Sequence, residues 1–193
     1  MDQPETFAFD EANRKTAEAI IARYPDGRQQ SAVLPLLDLA QRQAGGWLPR
    51  AAVAAVADML DMAVIRVWEV ATFYTMFDLA PVGRTCVNVC TTTPCWLRGS
   101  NDIVAALEQE LGVALGETSD DGAVTLREVE CLGACVNAPL VQIGDDYYED
   151  LTPASAVALV KAIRAGEAPK PGPQARRRSS EPASGAKTLK GEG

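Results

Sequence analysis

The sequence predicts two different kinds of structure along one chain: a helical region over residues 1–80, followed by a small α/β domain over residues 81–167. In the first region apolar residues recur every three or four positions, which is the period of an amphipathic helix. After Pro81 and Gly83 apolar and polar residues alternate, which is the period of a strand. Because 47% of the 193 residues are apolar, the chain has enough side chains for a substantial core.

Four helical segments are expected before residue 80. The apolar stripes of the first two are formed by Ala17, Ile20, Ile21 and Tyr24, and by Val33, Leu36, Leu37 and Ala40. An alanine-rich helix is expected over residues 50–60, directly after Pro49, which suits a helix start. The segment over residues 64–77, VIRVWEVATFYTMF, is apolar nearly all round. We therefore expect it to be buried in the core or docked on another subunit.

The second region predicts the element order β-α-β-β-α, typical of a small α/β sandwich. The first strand has Val87 and Val89 on one face. The elements expected after it are a helix over residues 95–111, strands at about 123–130 and 139–143, a turn at GDDYYED with a further strand, and a helix over about 153–165.

Charge and composition exclude several classes of function. Residues 1–167 carry a net charge of −12, which argues against binding to nucleic acid. We see no signal peptide and no apolar run of about 18 or more residues that could span a bilayer, so we expect a cytoplasmic protein. The chain has no histidine, which excludes a Rieske centre and a Ser-His-Asp catalytic system.

Residues 168–193 form a tail of different composition. This segment carries a net charge of +4, is rich in Pro, Gly and Ser, and has few large apolar residues. A segment of this composition does not fold alone. We expect it to remain solvated or to order on a partner, and in either case to be dispensable for the cysteine site.

Four of the five cysteines form two close pairs. Cys90 and Cys95 are spaced C-x4-C, and Cys131 and Cys135 are spaced C-x3-C. A reducing cytosol disfavours disulfides, whereas two pairs brought together by the fold can hold zinc or an iron–sulfur cluster. Structural zinc prefers C-x2-C pairs, so the wider spacing favours a cluster of two irons. Cys86 lies outside both pairs, and we expect it to be a small buried packing residue.

The residues around the pairs suit an anionic group. Pro94 can open a helix with Thr93 as its N-cap, which places Cys95 near unpaired backbone amides at the helix N-terminus. Gly133 allows backbone amides to approach sulfur. Arg98 is either a compensating cation or an ordinary exposed helix residue.

Several segments together resemble one family. VCTTTPCWLRGS, VECLGACVNAP, EVATFYTMF and the tail sequence SEPASGAKTL are similar to the 24 kDa subunit family of respiratory complex I, the NADH:quinone oxidoreductase, whose bacterial members are called E subunits. The resemblance extends from about residue 7 to residue 190. The two cysteine motifs are shared by a wider group of thioredoxin-like [2Fe–2S] ferredoxins, whereas the tail is more typical of complex I.

The resemblance implies a helical bundle followed by a thioredoxin-like domain, with one [2Fe–2S] cluster bound by Cys90, Cys95, Cys131 and Cys135. It also implies an electron-transfer subunit of NADH:quinone oxidoreductase that exchanges single electrons with the FMN of a partner flavoprotein. That partner binds NADH, and a large iron–sulfur subunit completes the electron-input module. The expected location is the peripheral arm, on the cytoplasmic face of the bacterial inner membrane or on the matrix side in an organelle.

Two alternatives remain open from the sequence. The chain could be the equivalent diaphorase subunit of an NAD-dependent hydrogenase or formate dehydrogenase, which has the same cysteine motifs. It could also be a redox-inert module in which the four thiolates hold structural zinc. No G-x-G-x-x-G motif follows a strand, so we expect FMN and NADH to be bound by the partner, and the chain alone not to be a complete enzyme.

Overall fold

The structure is a computed structural model that describes residues 3–182, 184 and 185. The chain divides into two compact units, Met1–Val82 and Gly83–Gly193, each with its own hydrophobic core. The end of the tail motif SEPASGAKTL lies outside the described residues, as do the rest of residues 186–193. In the part of the chain that is described, no helix is both long enough and apolar enough to cross a bilayer.

The described residues of the first unit form four α-helices. These are α1 (Glu11–Ile21), α2 (Val33–Gln43), α3 (Arg50–Leu60) and α4 (Val64–Phe73), with a 3₁₀ turn at Gln29–Ala32. The carboxylate of Asp10 caps α1 by accepting a hydrogen bond from the backbone N–H of Asn13 at 2.8 Å. The apolar stripes predicted for α1 and α2 pack on the core of this unit, where Leu36 and Leu37 are fully buried.

Helix α4 is less buried than its sequence predicts. Within it only Val67 and Ala71 are buried, and it ends at Phe73 rather than at residue 77. Ile65 and Phe73 are 61% and 76% exposed. A helix presents only one face to a core, so a segment that is apolar on all sides leaves apolar side chains outside it. The expectation of burial in the core is therefore wrong for most of α4.

The second unit is organised around a five-stranded sheet with the spatial order β2-β1-β3-β4-β5. Its strands are β1 (Thr85–Cys90), β2 (Val124–Val129), β3 (Val141–Ile143), β4 (Asp146–Glu149) and β5 (Gly172–Pro173). β1 lies parallel to β2 and antiparallel to β3, β3 and β4 form an antiparallel hairpin, and β5 pairs in parallel with β4.

Two longer helices complete the core of this unit. They are α6 (Ser100–Leu111) and α7 (Pro153–Arg164), preceded by the short α5 (Thr93–Leu97). The core contains apolar residues of β1 and β2, together with Ile103 and Leu107 of α6 and Leu159 and Val160 of α7. α7 begins with a capping box in which Thr152 and Ser155 exchange hydrogen bonds with each other's backbone N–H.

The predicted class, helices followed by an α/β domain, is confirmed, with three differences in detail. The single helix predicted over residues 95–111 is two helices, α5 and α6, because Gly99 adopts a left-handed conformation with φ of 92°. The N-cap of α5 is Thr92 rather than Thr93, and Pro94 lies in its first turn. In the sheet, β4 lies within the GDDYYED segment itself, which was predicted as a turn before a further strand, and β5, in the tail, was not predicted.

The buried position of Leu107 gives a test of the second core. Leu107 is fully buried, so Leu107→Ala should lower the free energy of unfolding by about 2–5 kcal/mol through lost burial and the cavity left behind. The matched control is Leu97→Ala, since Leu97 is 70% exposed and its truncation should change stability by less than about 0.5 kcal/mol. Urea denaturation followed by circular dichroism measures both, and equal losses would contradict this core assignment.

Candidate metal centre

The first cysteine pair lies where β1 passes into α5. Cys90 is the last residue of β1 and Cys95 lies in α5. Both are 1% exposed, and an interaction between their thiols shifts the pKa of each. The buried face of the short helix therefore places Cys95 beside the end of the strand.

The second pair lies on the loop that follows β2. The Sγ atoms of Cys131 and Cys135 are 3.4 Å apart, and both residues are exposed. Gly133, between them, has φ of 81°, a conformation that favours glycine and lets the loop turn tightly. Cys135 opens a 3₁₀ turn that ends at Asn137.

The sheet brings the two pairs together. β1 and β2 are parallel neighbours, and Cys90 pairs in register with Val129, so the loops after both strands leave the same edge of the sheet. The hydroxyl of Thr92 lies 3.5 Å from the Sγ of Cys90, and it also lowers the pKa of the Cys131 thiol. Cys135 is close enough to feel the negative charge of Cys90. All four predicted ligands thus lie in one place.

Backbone amides point at the sulfur atoms. The N–H of Leu132 donates to Cys90, the N–H of Gly133 donates to Cys131, and the N–H of Leu140 donates to Cys95. Hydrogen bonds of this kind favour thiolate over thiol. They also stabilise anionic sulfur in clusters, where they help set the reduction potential. The donor set therefore fits an iron–sulfur cluster held by four thiolates.

The pKa values of each pair are shifted in opposite directions. Burial raises the pKa of the Cys90 thiol, but hydrogen bonds from Thr92, Leu132 and Cys95 outweigh burial and lower it. Burial and the hydrogen bond with Cys90 raise the pKa of Cys95 to about 12. Within the first pair, ionisation is therefore easier at Cys90 than at Cys95.

The second pair follows the same pattern. The N–H of Gly133, together with hydrogen bonds from Cys135 and Thr92, lowers the pKa of Cys131. The hydrogen bond to Cys131, with a smaller effect of burial, raises the pKa of Cys135. In each pair the pKa of one thiol is thus lowered, which favours its ionised form.

Cys86 and Arg98 are the two other residues that the sequence singled out, and neither is part of the four-thiol group. Cys86 precedes Cys90 by four residues on β1, about 13 Å along an extended strand. It is half-buried rather than fully buried as predicted, and Arg127 Nη2 lies 3.6 Å from its Sγ. Arg98 is exposed, and its guanidinium makes no hydrogen bond or ion pair with the described residues, which agrees with an ordinary surface role.

The four thiols form two pairs rather than a cage around one ion. Among the residues that the structure describes, no three His, Cys, Asp or Glu side chains are arranged to hold a single metal ion. Two thiol pairs with amide donors, on adjacent loops of a small α/β domain, are typical of iron–sulfur proteins that use four cysteine ligands.

Comparisons with known proteins identify the family. Residues 17–164 match the family described as thioredoxin-like [2Fe–2S] ferredoxin. The E subunit of NADH-quinone oxidoreductase from Rickettsia bellii is 58% identical over 158 residues, covering 82% of this chain and 95% of that protein. The corresponding protein from Rickettsia conorii is 64% identical over 146 residues, covering 76% and 87%. The chain therefore belongs to the thioredoxin-like [2Fe–2S] ferredoxin family and, within it, to the family of NADH-quinone oxidoreductase E subunits.

More distant matches agree on the fold. The mitochondrial NADH dehydrogenase [ubiquinone] flavoprotein 2 of Dictyostelium discoideum is 49% identical over 183 residues, covering 95% of this chain and 74% of that protein. A solved NAD+-reducing [NiFe]-hydrogenase has a TM-score of 0.61 at 21% identity, covering 69% of this chain but only 22% of the hydrogenase chain. The predicted family, thioredoxin-like fold and [2Fe–2S] cofactor are confirmed.

Sequence reasoning missed one side chain of the site, Thr92. It stands between Cys90 and Cys131, two predicted ligands from different pairs, and a hydroxyl two residues after a strand-end cysteine was the only signal for it. The amide donors Leu132 and Leu140 carry no sequence signal, because any residue other than proline supplies the same N–H.

Replacing Thr92 tests whether its hydroxyl supports charge on sulfur. Thr92→Val keeps the shape but removes the donor, so the more negative reduced cluster loses a hydrogen bond of about 0.5–1.5 kcal/mol. The reduction potential should fall by about 20–60 mV for this one-electron couple. The control is Thr93→Val, since Thr93 is exposed and should leave the potential unchanged. A redox titration monitored by EPR measures both, and an unchanged Thr92→Val potential would refute the role.

Proposed function

We propose that the chain is the electron-transfer subunit of an NADH:quinone oxidoreductase, respiratory complex I, and that Cys90, Cys95, Cys131 and Cys135 bind its single [2Fe–2S] cluster. The observation that carries the proposal is the meeting of both thiol pairs at one edge of the sheet, with amide donors directed at sulfur. Membership of the family of NADH-quinone oxidoreductase E subunits supports the parent enzyme.

The residues of this chain would hold the cluster and control its surroundings. The bound cluster supplies one-electron redox chemistry. Cys90 and Cys95 are buried, so they would shield one side of it from water, whereas Cys131 and Cys135 would hold the exposed side. Hydrogen bonds from Thr92 and Gly133 would offset the negative charge that an added electron brings.

The exposed side of the centre is also apolar, which supports a protein partner there. Trp96 and Leu97, next to Cys95, are 56% and 70% exposed, and Val136, next to Cys135, is 69% exposed. Exposed apolar side chains grouped in this way mark interaction sites. The proposed partner is the flavoprotein subunit that binds FMN and NADH, with the large iron–sulfur subunit beside it. The proposed location is the peripheral arm, on the cytoplasmic face or the matrix side.

The two alternatives are weaker. The hydrogenase similarity at 21% identity supports the fold alone, whereas relatives 58–64% identical are NADH-quinone oxidoreductase subunits, so complex I is the better parent than a hydrogenase or formate dehydrogenase. A zinc module would use one tetrahedral ion, for which the paired thiols are less suited. A colourless purified protein with one zinc per chain would establish that alternative.

Serine substitutions test the ligand set. Cys131→Ser should lose the cluster or bind it much more weakly, because a hydroxyl is a poorer iron ligand than a thiolate. Cys86→Ser is the matched control and should keep about two irons and two sulfides per chain, since Cys86 lies outside both pairs. Iron and sulfide analysis with low-temperature EPR of the reduced protein measures the outcome. A wild-type spectrum in Cys131→Ser would refute the assignment.

A reconstituted pair tests the electron-transfer role. NADH alone should leave the cluster of the isolated chain oxidised, since no nucleotide-binding motif is found in the sequence. Adding the FMN-containing flavoprotein subunit should let NADH reduce it, seen as the appearance of the EPR signal. If the flavoprotein fails to bind this chain, or binds it without reducing the cluster, the partner assignment is wrong.

A further inference from the structure

A buried ion pair ties the tail to the second unit. Arg177 lies in the tail, and Asp150 lies in the turn between β4 and α7, with a φ of 55°. Nε of Arg177 donates to Oδ2 of Asp150 at 2.6 Å, and Nη2 donates to Oδ1, so the contact is bidentate. The two side chains are only 8% and 14% exposed. The tail is thus anchored to its own domain by a charged contact that is costly to break.

The same guanidinium reaches the second cysteine loop. Nη2 of Arg177 donates to the backbone oxygen of Val136 at 3.0 Å, and Nη1 donates to the backbone oxygen of Glu181 at 3.2 Å. Val136 directly follows Cys135. Arg177 therefore connects Val136, the residue after the proposed ligand Cys135, to the carboxylate of Asp150.

Further contacts hold the 3₁₀ turn Cys135–Asn137, which contains Val136. The backbone N–H of Asp150 donates to the backbone oxygen of Asn137 at 2.8 Å. The Asn137 amide group, which is 2% exposed, donates to the carboxylate of Glu149 and, at 3.2 Å, to the backbone oxygen of Ser179 in the tail. The 3₁₀ turn Cys135–Asn137 is thus held from two directions, by the β4–α7 turn and by the tail.

Elsewhere on the described part of the cysteine loop, the hydroxyl of Tyr147 donates to the backbone oxygen of Leu132 at 2.9 Å, whereas the cysteines themselves lie on the surface. Cys131, Cys135 and Val136 are exposed, and the loop is irregular apart from the 3₁₀ turn. Segments with little apolar burial open locally more readily than the core. A four-thiolate site releases iron most readily when one of its loops moves away, so contacts at Val136 and Asn137 bear directly on retention.

We infer that Arg177 is a positioning residue for the iron-binding loop: by joining the Val136 carbonyl to Asp150, it holds Cys135 in place beside Cys131. This inference rests on the proposed ligand set. It revises the sequence-based expectation that the tail is dispensable for the cysteine site, because residues 172–181 of the tail supply β5, Arg177 and the Ser179 contact.

The test compares arginine substitutions in the full-length chain carrying its cluster. Arg177→Met removes the guanidinium group and its hydrogen bonds but keeps an unbranched side chain. Its visible absorption should bleach about tenfold faster than wild type in excess iron chelator, because the loop opens more often. Arg176→Met is the matched control, since Arg176 is exposed and its side chain makes no hydrogen bond with the described residues. This variant should bleach at the wild-type rate.

Two readouts separate positioning from general stability. The EPR line shape of reduced Arg177→Met should differ from wild type, because a shifted Cys135 changes the surroundings of its iron. Arg177→Lys keeps the charge but cannot donate to Asp150 in a bidentate manner and to Val136 together, so its bleaching rate should be intermediate. If Arg177→Met does not fold, the bleaching rate of Arg177→Lys relative to wild type decides. Wild-type rates and spectra in the variant that folds would overturn the inference, even if its melting temperature falls.

Truncations give an independent comparison. A chain ending at Pro182 keeps Arg177 and Ser179 and should retain iron like wild type, whereas a chain ending at Pro171 should bleach about as fast as Arg177→Met. Equal rates for the two truncations would contradict the inference. Failure of the proposed function looks different, since wild-type protein would then lack about two irons and two sulfides per chain at the outset.

Discussion

The parallel pairing of β1 with β2 is the constraint on which the candidate metal centre depends. Neighbouring parallel strands end at the same edge of a sheet, so the loops that follow them start side by side. Here Cys90 ends β1, and Cys131 follows the end of β2 by two residues. A shift in the register of the two strands would separate the thiol pairs, however well each pair were formed locally.

Four thiols in one place create an electrostatic cost that the surrounding residues offset. Thiolates repel one another and lose solvation when buried, as the raised pKa of Cys95 reflects. Backbone amides from both loops and the hydroxyl of Thr92 supply hydrogen bonds to sulfur. Much of this compensation comes from backbone geometry, so it depends on Gly133 adopting a positive φ as much as on any charged side chain.

Each unit leaves apolar side chains exposed, which fits a component of an assembly better than an independent protein. In the first unit these residues lie on and after α4, and in the second they lie beside the cysteines. In contrast to these exposed apolar side chains, the tail contributes a buried charged contact to the second unit. Its Arg177 is nearly buried and stabilised in its charged form by Asp150, so part of a segment with a disordered composition is structural.

The sequence by itself determined the helical and α/β regions, the two cysteine pairs and the family, because periodicity, spacing and motif are local properties of the chain. It did not show the break at Gly99, the exposure of α4, the position of Thr92 beside two of the predicted ligands or the anchoring of Arg177. Tertiary structure decided these features. Each depends on residues far apart in the chain or on a backbone conformation, and the free energy of burial and pairing outweighs local preference there.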